Sequence, residues 1–275
     1  MDFLVFRNGK DVILKPAGVR NRVKMQIENR VLLTLENQLA LVRLNRPEKH
    51  NALDLDMFRA IAEMQQKLAR ENSVRAVILS GSGVDFCSGL DAKSVLKDRT
   101  GALKLLWKWL PWRANLAQQV SVGWRRLSVP VFAAIHGRCW GGGLQIALGA
   151  DFRIARPDAS LSIMEGKLGL IPDMGGTLAV RELMTRDHAM WLTMTAGEFS
   201  GERALELGLV TELAEDPANT ALEMATQLID RSPDAVAAVK RLYRKSWSGS
   251  SGAALARETA YQLGVLRSSR FRRPR

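Results

Sequence analysis

Three consecutive glycines, Gly141-Gly142-Gly143, are the first place where the residue types of this 275-residue chain point to chemistry. The apolar run from Val131 to Ile135 before them reads as a buried strand, and Leu144 onward is helical in pattern. Strand, glycine turn and helix leave the first helical amides without internal partners, pointing outward with the positive end of the helix dipole. Such amides suit an oxygen that carries or develops negative charge. A glycine turn used only to pack a helix on a sheet fits the same stretch. His50, His136 and His188 have no metal-ligand spacing, so no metal is expected and each reads as structural. Two cysteines, Cys87 and Cys139, give no disulfide framework, which favours a reducing cytoplasm.

The elements that must hold this turn follow from periodicity. Alternation between Lys24 and Asn45, punctuated at Glu28-Asn29-Arg30 and Glu36-Asn37-Gln38, predicts a short antiparallel meander. A helix is predicted from Asp54 to about Arg70, with Leu53, Met57, Ile61, Met64 and Leu68 at helical spacing. Residues 73–80 contain a run suited to a strand buried on both faces, and a long helical stretch separates it from Val131. Strands near 152–155, 161–164 and 209–213 follow, then helices at about 217–231, 234–246 and 252–266. Strands alternating with helices imply right-handed crossovers and a parallel sheet. The expected fold class is therefore α/β with a helical C-terminal subdomain. Residues 1–24 lack clear periodicity and read as a loosely held basic extension, with Met25 as an alternative start.

Hydrophobic content of 47% with 25% charged residues is ordinary for a globular protein. No apolar run reaches the roughly 18 residues of a membrane span, and the N-terminus, with Asp2 and no small-residue cleavage site, does not read as a signal peptide. The net charge of +12 sits mostly at the ends: six basic side chains against two acids in residues 1–24, and five arginines with no acid from Gly264 onward. Basic ends can attract nucleic acid. Here the C-terminal arginines lack interleaved aromatics apart from Phe271, and no RNA-binding motif is visible, which argues against a nucleic-acid partner.

Five segments taken in order resemble the crotonase superfamily, also called the enoyl-CoA hydratase/isomerase family. They are Leu44-Asn45-Arg46-Pro47-Glu48-Lys49-His50-Asn51-Ala52-Leu53, Phe86-Cys87-Ser88-Gly89-Leu90-Asp91, His136-Gly137 through Gly141-Gly142-Gly143, Glu165 through Gly169-Leu170-Ile171-Pro172-Asp173-Met174-Gly175-Gly176-Thr177, and Gly201-Glu202-Arg203-Ala204-Leu205-Glu206-Leu207-Gly208-Leu209-Val210. The resemblance covers about residues 25–247. It implies a crotonase-like spiral of ββα units over residues 25–200 and a helical trimerisation subdomain over 201–266; the basic tail over 267–275, read from its arginines, departs from relatives that continue into a segment closing over the coenzyme. It further implies a homotrimer or a dimer of trimers, and a coenzyme A thioester as substrate with no permanently bound cofactor.

The same resemblance implies that the backbone N–H groups of Leu90 and Gly142 form an oxyanion hole for a thioester enolate. Gln145, Trp140 and Pro172 are expected to line the active site. The coenzyme is expected at Lys49, His50, Ala52, Cys87, Ser88, Gly89, Leu90 and Asp91, with Lys93 and Lys97 as further phosphate contacts or as solvated lysines. Cys87 occupies the family's small-residue position, so it and Cys139 read as packing rather than nucleophiles.

Relatives that add water to a double bond carry two glutamates. The second is present as Glu165, whereas Gln145 stands where the first would be and cannot accept a catalytic proton. Asp173 lies eight residues after Glu165, the spacing of the proton donor and acceptor in the family's dienoyl-CoA isomerases, from which this chain departs in having Gln145 where they usually carry an acid. Two carboxyls in different protonation states can move a proton between carbons without water. The expectation is therefore an isomerase shifting a double bond through Glu165 and Asp173, with a helix N-cap as the alternative role of Asp173. Competing readings are a 2-enoyl-CoA hydratase using Glu165 alone, an RNA-binding crotonase homologue and a non-catalytic acyl-CoA binder. The aromatic stretch Leu103-Lys104-Leu105-Leu106-Trp107-Lys108-Trp109-Leu110-Pro111-Trp112, continuing to Trp124, is expected beside the acyl tail or in a core or subunit interface.

Overall fold

Asp54 shows how local sequence fixes an element here: its carboxylate accepts the Met57 amide at 2.8 Å and caps helix α1 (Leu55–Arg70). Burial opposes the charge of Asp54, but hydrogen bonds from Arg30 and the Met57 amide, with Arg46 nearby, hold its carboxyl below the usual range. The structure, a computed structural model, describes residues 3–7, 10–14, 23–97, 105–108 and 110–268. Leu103, Lys104, Trp109, the side chain of Lys97 and the arginine-rich end from residue 269 lie outside the described residues.

Before α1, β1 (Phe3–Arg7) and β2 (Lys10–Leu14) pair as an antiparallel hairpin, so the N-terminal stretch read as loose is locally paired. The expected meander is β3 (Val23–Ile27), β4 (Val31–Glu36) and β5 (Leu39–Leu44), turned by positive φ at Glu28-Asn29 and Asn37-Gln38. After α1 come β6 (Ala76–Gly81), α2 (Ala92–Lys97) and α3 (Leu116–Arg126), the last opened by a capping box between Asn115 and Gln118. Then follow β7 (Val131–Ile135), β8 (Arg138–Trp140), α4 (Gly142–Ala147), β9 (Phe152–Ala155) and β10 (Ser160–Ser162). The strand expected to reach residue 164 stops at Ser162, because Met164–Leu168 turns into a 3-10 helix. Helices α5 (Thr177–Leu183) and α6 (Arg186–Thr195) precede β11 (Phe199–Ser200), α7 (Gly201–Glu206) and β12 (Glu212–Leu213). The chain closes with α8 (Pro217–Thr226), α9 (Pro233–Ser246) and α10 (Ser251–Arg267). Helix α8 ends five residues earlier than its periodicity predicts.

The main sheet has the order β12-β9-β7-β6-β5-β4-β3, parallel from β12 to β5 and antiparallel through the meander. Its central strands are apolar on both faces, as parallel strands between two layers require. One face carries the large core with Met57, Phe58, Ile61 and Trp124; the other packs Leu39, Ile78, Phe132 and Ile154 against Ala221 and Ala225 of α8. Phe132 stacks on Phe152 at 4.9 Å between centroids, and burying such a ring contributes roughly 1.5–3 kcal/mol. A smaller sheet, β11-β10-β8, stands beyond the end of β7. Trp124 is core, whereas Trp107 and Trp112 are exposed. No helix among the described residues is long and apolar enough to cross a membrane.

Candidate active site

Strand β8 brings two distant segments together. Phe86 N–H donates to the His136 carbonyl, Cys87 N–H to that of Arg138, and Trp140 N–H back to that of Cys87, so residues 86–89 run beside β8 and end where it ends. Gly89 has φ +92°, and a Cβ on it would lie 2.8 Å from the Trp140 carbonyl oxygen and 3.6 Å from the Gly142 nitrogen. Only glycine permits that approach. Gly141 turns the other segment with φ 48° and ψ −118°, anchored by its N–H on the Ser162 carbonyl at 2.8 Å. Leu90 is held by its neighbours: Leu53 N–H donates to the Gly89 carbonyl and Asp91 N–H to the Leu53 carbonyl. Among the described residues the N–H groups of Leu90 and Gly142 themselves donate to nothing. Two uncommitted amides therefore stand at the abutting ends of these loops.

The residues expected around a coenzyme are organised by side chains that motif reading passed over. Asn51, fully buried at φ 55°, donates to the carbonyls of Ser82, Asp85 and Phe86 and accepts the Arg46 amide at 2.8 Å. A left-handed asparagine after His50 is the signal that marks it, since asparagine tolerates this conformation better than most residues. Asp85 is buried and pairs with His50 at 2.7 Å and Arg138 at 2.9 Å. Burial opposes its charge, but the hydrogen bonds and charge of Arg138, with His50, hold its carboxyl below the ordinary range. Arg46 bridges to Asp91 at 2.9 Å, and Ser88 N–H donates to the His50 carbonyl. Ala52, Ser88 and Leu90 are half-buried on this rim, while Lys49 and Lys93 are exposed. Burial pushes the Cys87 thiol up to about 12 and raises Cys139 as well, so neither supplies a thiolate at neutral pH. No three His, Cys, Asp or Glu side chains among the described residues gather to hold a metal ion.

Glu165 lies on the 3-10 turn, which Gly169 ends at φ +68°. Its side chain is buried, and Gln145 Nε2 donates to its Oε1 at 2.5 Å. Gln145 Oε1 accepts the N–H groups of Met174 and Gly176, each at 3.0 Å. Glu165 Oε2 is buried without a hydrogen-bond partner among the described residues. Burial raises the Glu165 carboxyl above its usual range and the charge of Asp173 pushes the same way, against the donation from Gln145. Partial burial also raises the Asp173 carboxyl, against a backbone hydrogen bond that lowers it. Asp173 does not cap α5: the N-cap is Gly176, with no side-chain hydrogen bond.

Gln145 and Pro172 line a cavity of about 410 Å³ with Leu144, Ile163, Val180 and Met184. Trp140 is turned aside, its indole N–H donating to Ser160 Oγ at 2.8 Å. An apolar cavity, two buried or rim carboxyls and two free amides together can hold an acyl group, move its protons and stabilise a developing oxyanion.

Comparison with known proteins identifies the family. The model of the enoyl-CoA hydratase/isomerase family matches residues 34–269. The chain is 31% identical to 1,2-epoxyphenylacetyl-CoA isomerase of Escherichia coli (strain K12), over 83% of this chain and 87% of that protein. It is 33% identical to the mitochondrial Delta(3,5)-Delta(2,4)-dienoyl-CoA isomerase of Mus musculus, over 71% of this chain and 62% of that protein. Among solved structures, an enoyl-CoA hydratase from Mycobacterium tuberculosis H37Rv superposes with a TM-score of 0.77 at 29% identity, covering 88% of this chain and 92% of the other.

Proposed function

This chain belongs to the enoyl-CoA hydratase/isomerase family, and from that premise we propose that it shifts a double bond in an unsaturated acyl-CoA thioester. In this reading the N–H groups of Leu90 and Gly142 receive the thioester oxygen as it gains charge, a role that needs two preorganised donors about 2.7–3.1 Å away. One carboxyl of the pair Glu165 and Asp173 takes a proton from one acyl carbon, the C–H electron pair passing into the enolate; the other gives a proton to a carbon further along, and both re-equilibrate with solvent before the next turnover. The acyl chain lodges in the apolar cavity beside Gln145 and Pro172. The coenzyme lies along Lys49, His50, Ala52 and the segment from Cys87 to Asp91.

The observation that carries this reading is how the Gln145 side chain is held. Its oxygen accepts the 174 and 176 amides and its nitrogen donates to Glu165, so it is tied to protein groups where a hydratase would hold water against a second acid. Asp173 is then the acid whose charge reaches Glu165. A hydratase reading with Glu165 alone draws support from the hydratase among the structural relatives. The test is to incubate the protein with 2-enoyl-, 3-enoyl- and 3,5-dienoyl-CoA and identify the products. Double-bond migration without added water is expected, and rapid hydration of the 2-enoyl ester refutes the isomerase reading.

Assembly as a homotrimer or dimer of trimers belongs to the same proposal. It is supported by α9, its C-cap Trp247 and α10, which leave Val239, Tyr243, Trp247, Leu255 and Leu263 exposed in the single chain. A cytoplasmic setting is supported by two buried, unpaired cysteines.

A further inference from the structure

We propose that Gln145 is a positioning residue that fixes Glu165 for proton transfer through one oxygen only, Oε2. The inference rests on reading Glu165 as a proton-transfer group, and it adds which atom does the work and what selects it.

The argument starts from the inventory of one amide side chain, whose oxygen only accepts and whose nitrogen only donates. The Met174 and Gly176 N–H groups both point at one end of Gln145, so that end is the oxygen. The nitrogen is thereby turned to Glu165, and it donates to Oε1. An oxygen that accepts this bond cannot also carry a proton pointed at the same nitrogen. When Glu165 is protonated, the proton therefore sits on Oε2. That atom is the one left buried and unpartnered, as befits an oxygen that faces a carbon-bound proton, which offers no hydrogen bond of its own. The base of this region is close but not crowded: a Cβ built on Gly141 would lie 3.6 Å from Glu165 Oε1.

Gln145 also fixes the second carboxyl. Its two backbone donors, Met174 and Gly176, lie one and three residues after Asp173, so the side chain that aims Glu165 also pins the segment presenting Asp173. The separation of the two acids is thus set through a residue on α4, the helix whose first amide is offered to the thioester oxygen. A glutamate at position 145 could still accept both backbone N–H groups, but it would set a carboxylate oxygen against Glu165 Oε1 and force the two to share a proton.

The experiment uses the ligand-free full-length protein. Glu165 is titrated by pH-difference infrared spectroscopy, its carboxyl band assigned by its loss in Glu165→Gln. In Gln145→Met, which keeps the bulk and removes both the donor to Glu165 and the acceptor of the 174 and 176 amides, the Glu165 midpoint is expected to rise by about one pH unit, because a hydrogen bond to the ionised form has gone. The acid limb of kcat/KM should move up with it, with kcat falling more than KM changes. An unmoved Glu165 midpoint in folded Gln145→Met overturns the proposal. Should that variant fail to fold, Gln145→Glu retains both backbone contacts; a coupled pair of titrations with one midpoint raised supports the proposal, and an unaltered Glu165 titration overturns it. The infrared readout needs no substrate. A shifted midpoint in a wild-type protein that hydrates but does not isomerise would uphold the positioning of Glu165 and remove only the isomerase reading.

Discussion

Replacing Gly89 with alanine should damage catalysis far more than its one added carbon implies. The new Cβ would sit 2.8 Å from the Trp140 carbonyl oxygen, a distance real Cβ atoms essentially never show, with the Gly142 nitrogen 3.6 Å away. Its neighbour is backbone tied into the ladder with Cys87, so relief must come from moving the loop that carries Leu90. The positive φ of 92° adds strain of about 1–2 kcal/mol for a residue with a Cβ, and the close contact adds about 1–3 kcal/mol. Gly89→Ala should therefore lose about 2–5 kcal/mol, seen as a fall of several degrees or more in Tm. Because the motion separates the Leu90 and Gly142 amides, kcat/KM on whichever enoyl-CoA ester is turned over should fall about 10²-fold. Gly169→Ala separates the two causes: Gly169 has φ +68° but nothing within 4 Å of the added carbon. It should lose about 1–2 kcal/mol and keep kcat/KM within about threefold. Full activity in a folded Gly89→Ala protein would refute the placement of the two amides.

Four further outcomes follow from the same geometry. Glu165→Gln should lower kcat about 10²- to 10⁴-fold. Its effect on stability has a definite sign: the folded Glu165 carboxyl titrates above its ordinary value of 4.5, so ionising it destabilises the fold as pH rises through that region. The glutamine variant should accordingly be the more stable protein at pH 7 in urea titrations, with the difference closing towards pH 4; a less stable variant at pH 7 would contradict this account. Asp173→Asn removes a charge that raises Glu165, so the acid limb of kcat/KM should move to lower pH while the maximum rate falls, and an unchanged profile would detach Asp173 from the site. Asp85→Asn breaks the buried pairing with Arg138 and His50 and should lose about 2–3 kcal/mol. Asp85 titrates below 3.8 when folded, so its stabilisation is present above that value and lost as pH falls through the lowered one; the gap between wild type and variant should shrink in acid. Val180→Phe narrows the cavity and should depress kcat/KM for long acyl chains while sparing short ones, whereas an equal loss at every chain length would place the chain elsewhere.

Much of this architecture is local and therefore legible in the chain. The 2.0- and 3.6-residue periods locate β3 to β7 and α1 because each must bury one face, and the cap at Asp54 is a short-range hydrogen bond. The glycine turn is legible because a chain reversal at positive φ restricts residue type. Where short-range rules compete, the pattern misleads: Met164–Leu168 leaves the strand for a tight turn, and the β1–β2 hairpin forms without a strong alternating pattern.

The partners of polar side chains were decided by tertiary structure alone. Composition marks Gln145 as unable to act as an acid, but not that it donates to Glu165, 20 residues away, while accepting from Met174 and Gly176. Nothing local tells that Asn51 satisfies three carbonyls of the segment 82–86, or that Asp85 gathers His50 and Arg138. A buried polar group must find a partner, but the sequence constrains only that one exists; the parallel run of residues 86–89 beside β8 brings the particular atoms within reach. The sequence thus determined which residue types are available for chemistry, and the packing of distant segments decided which atoms of them are committed and which are left free to react.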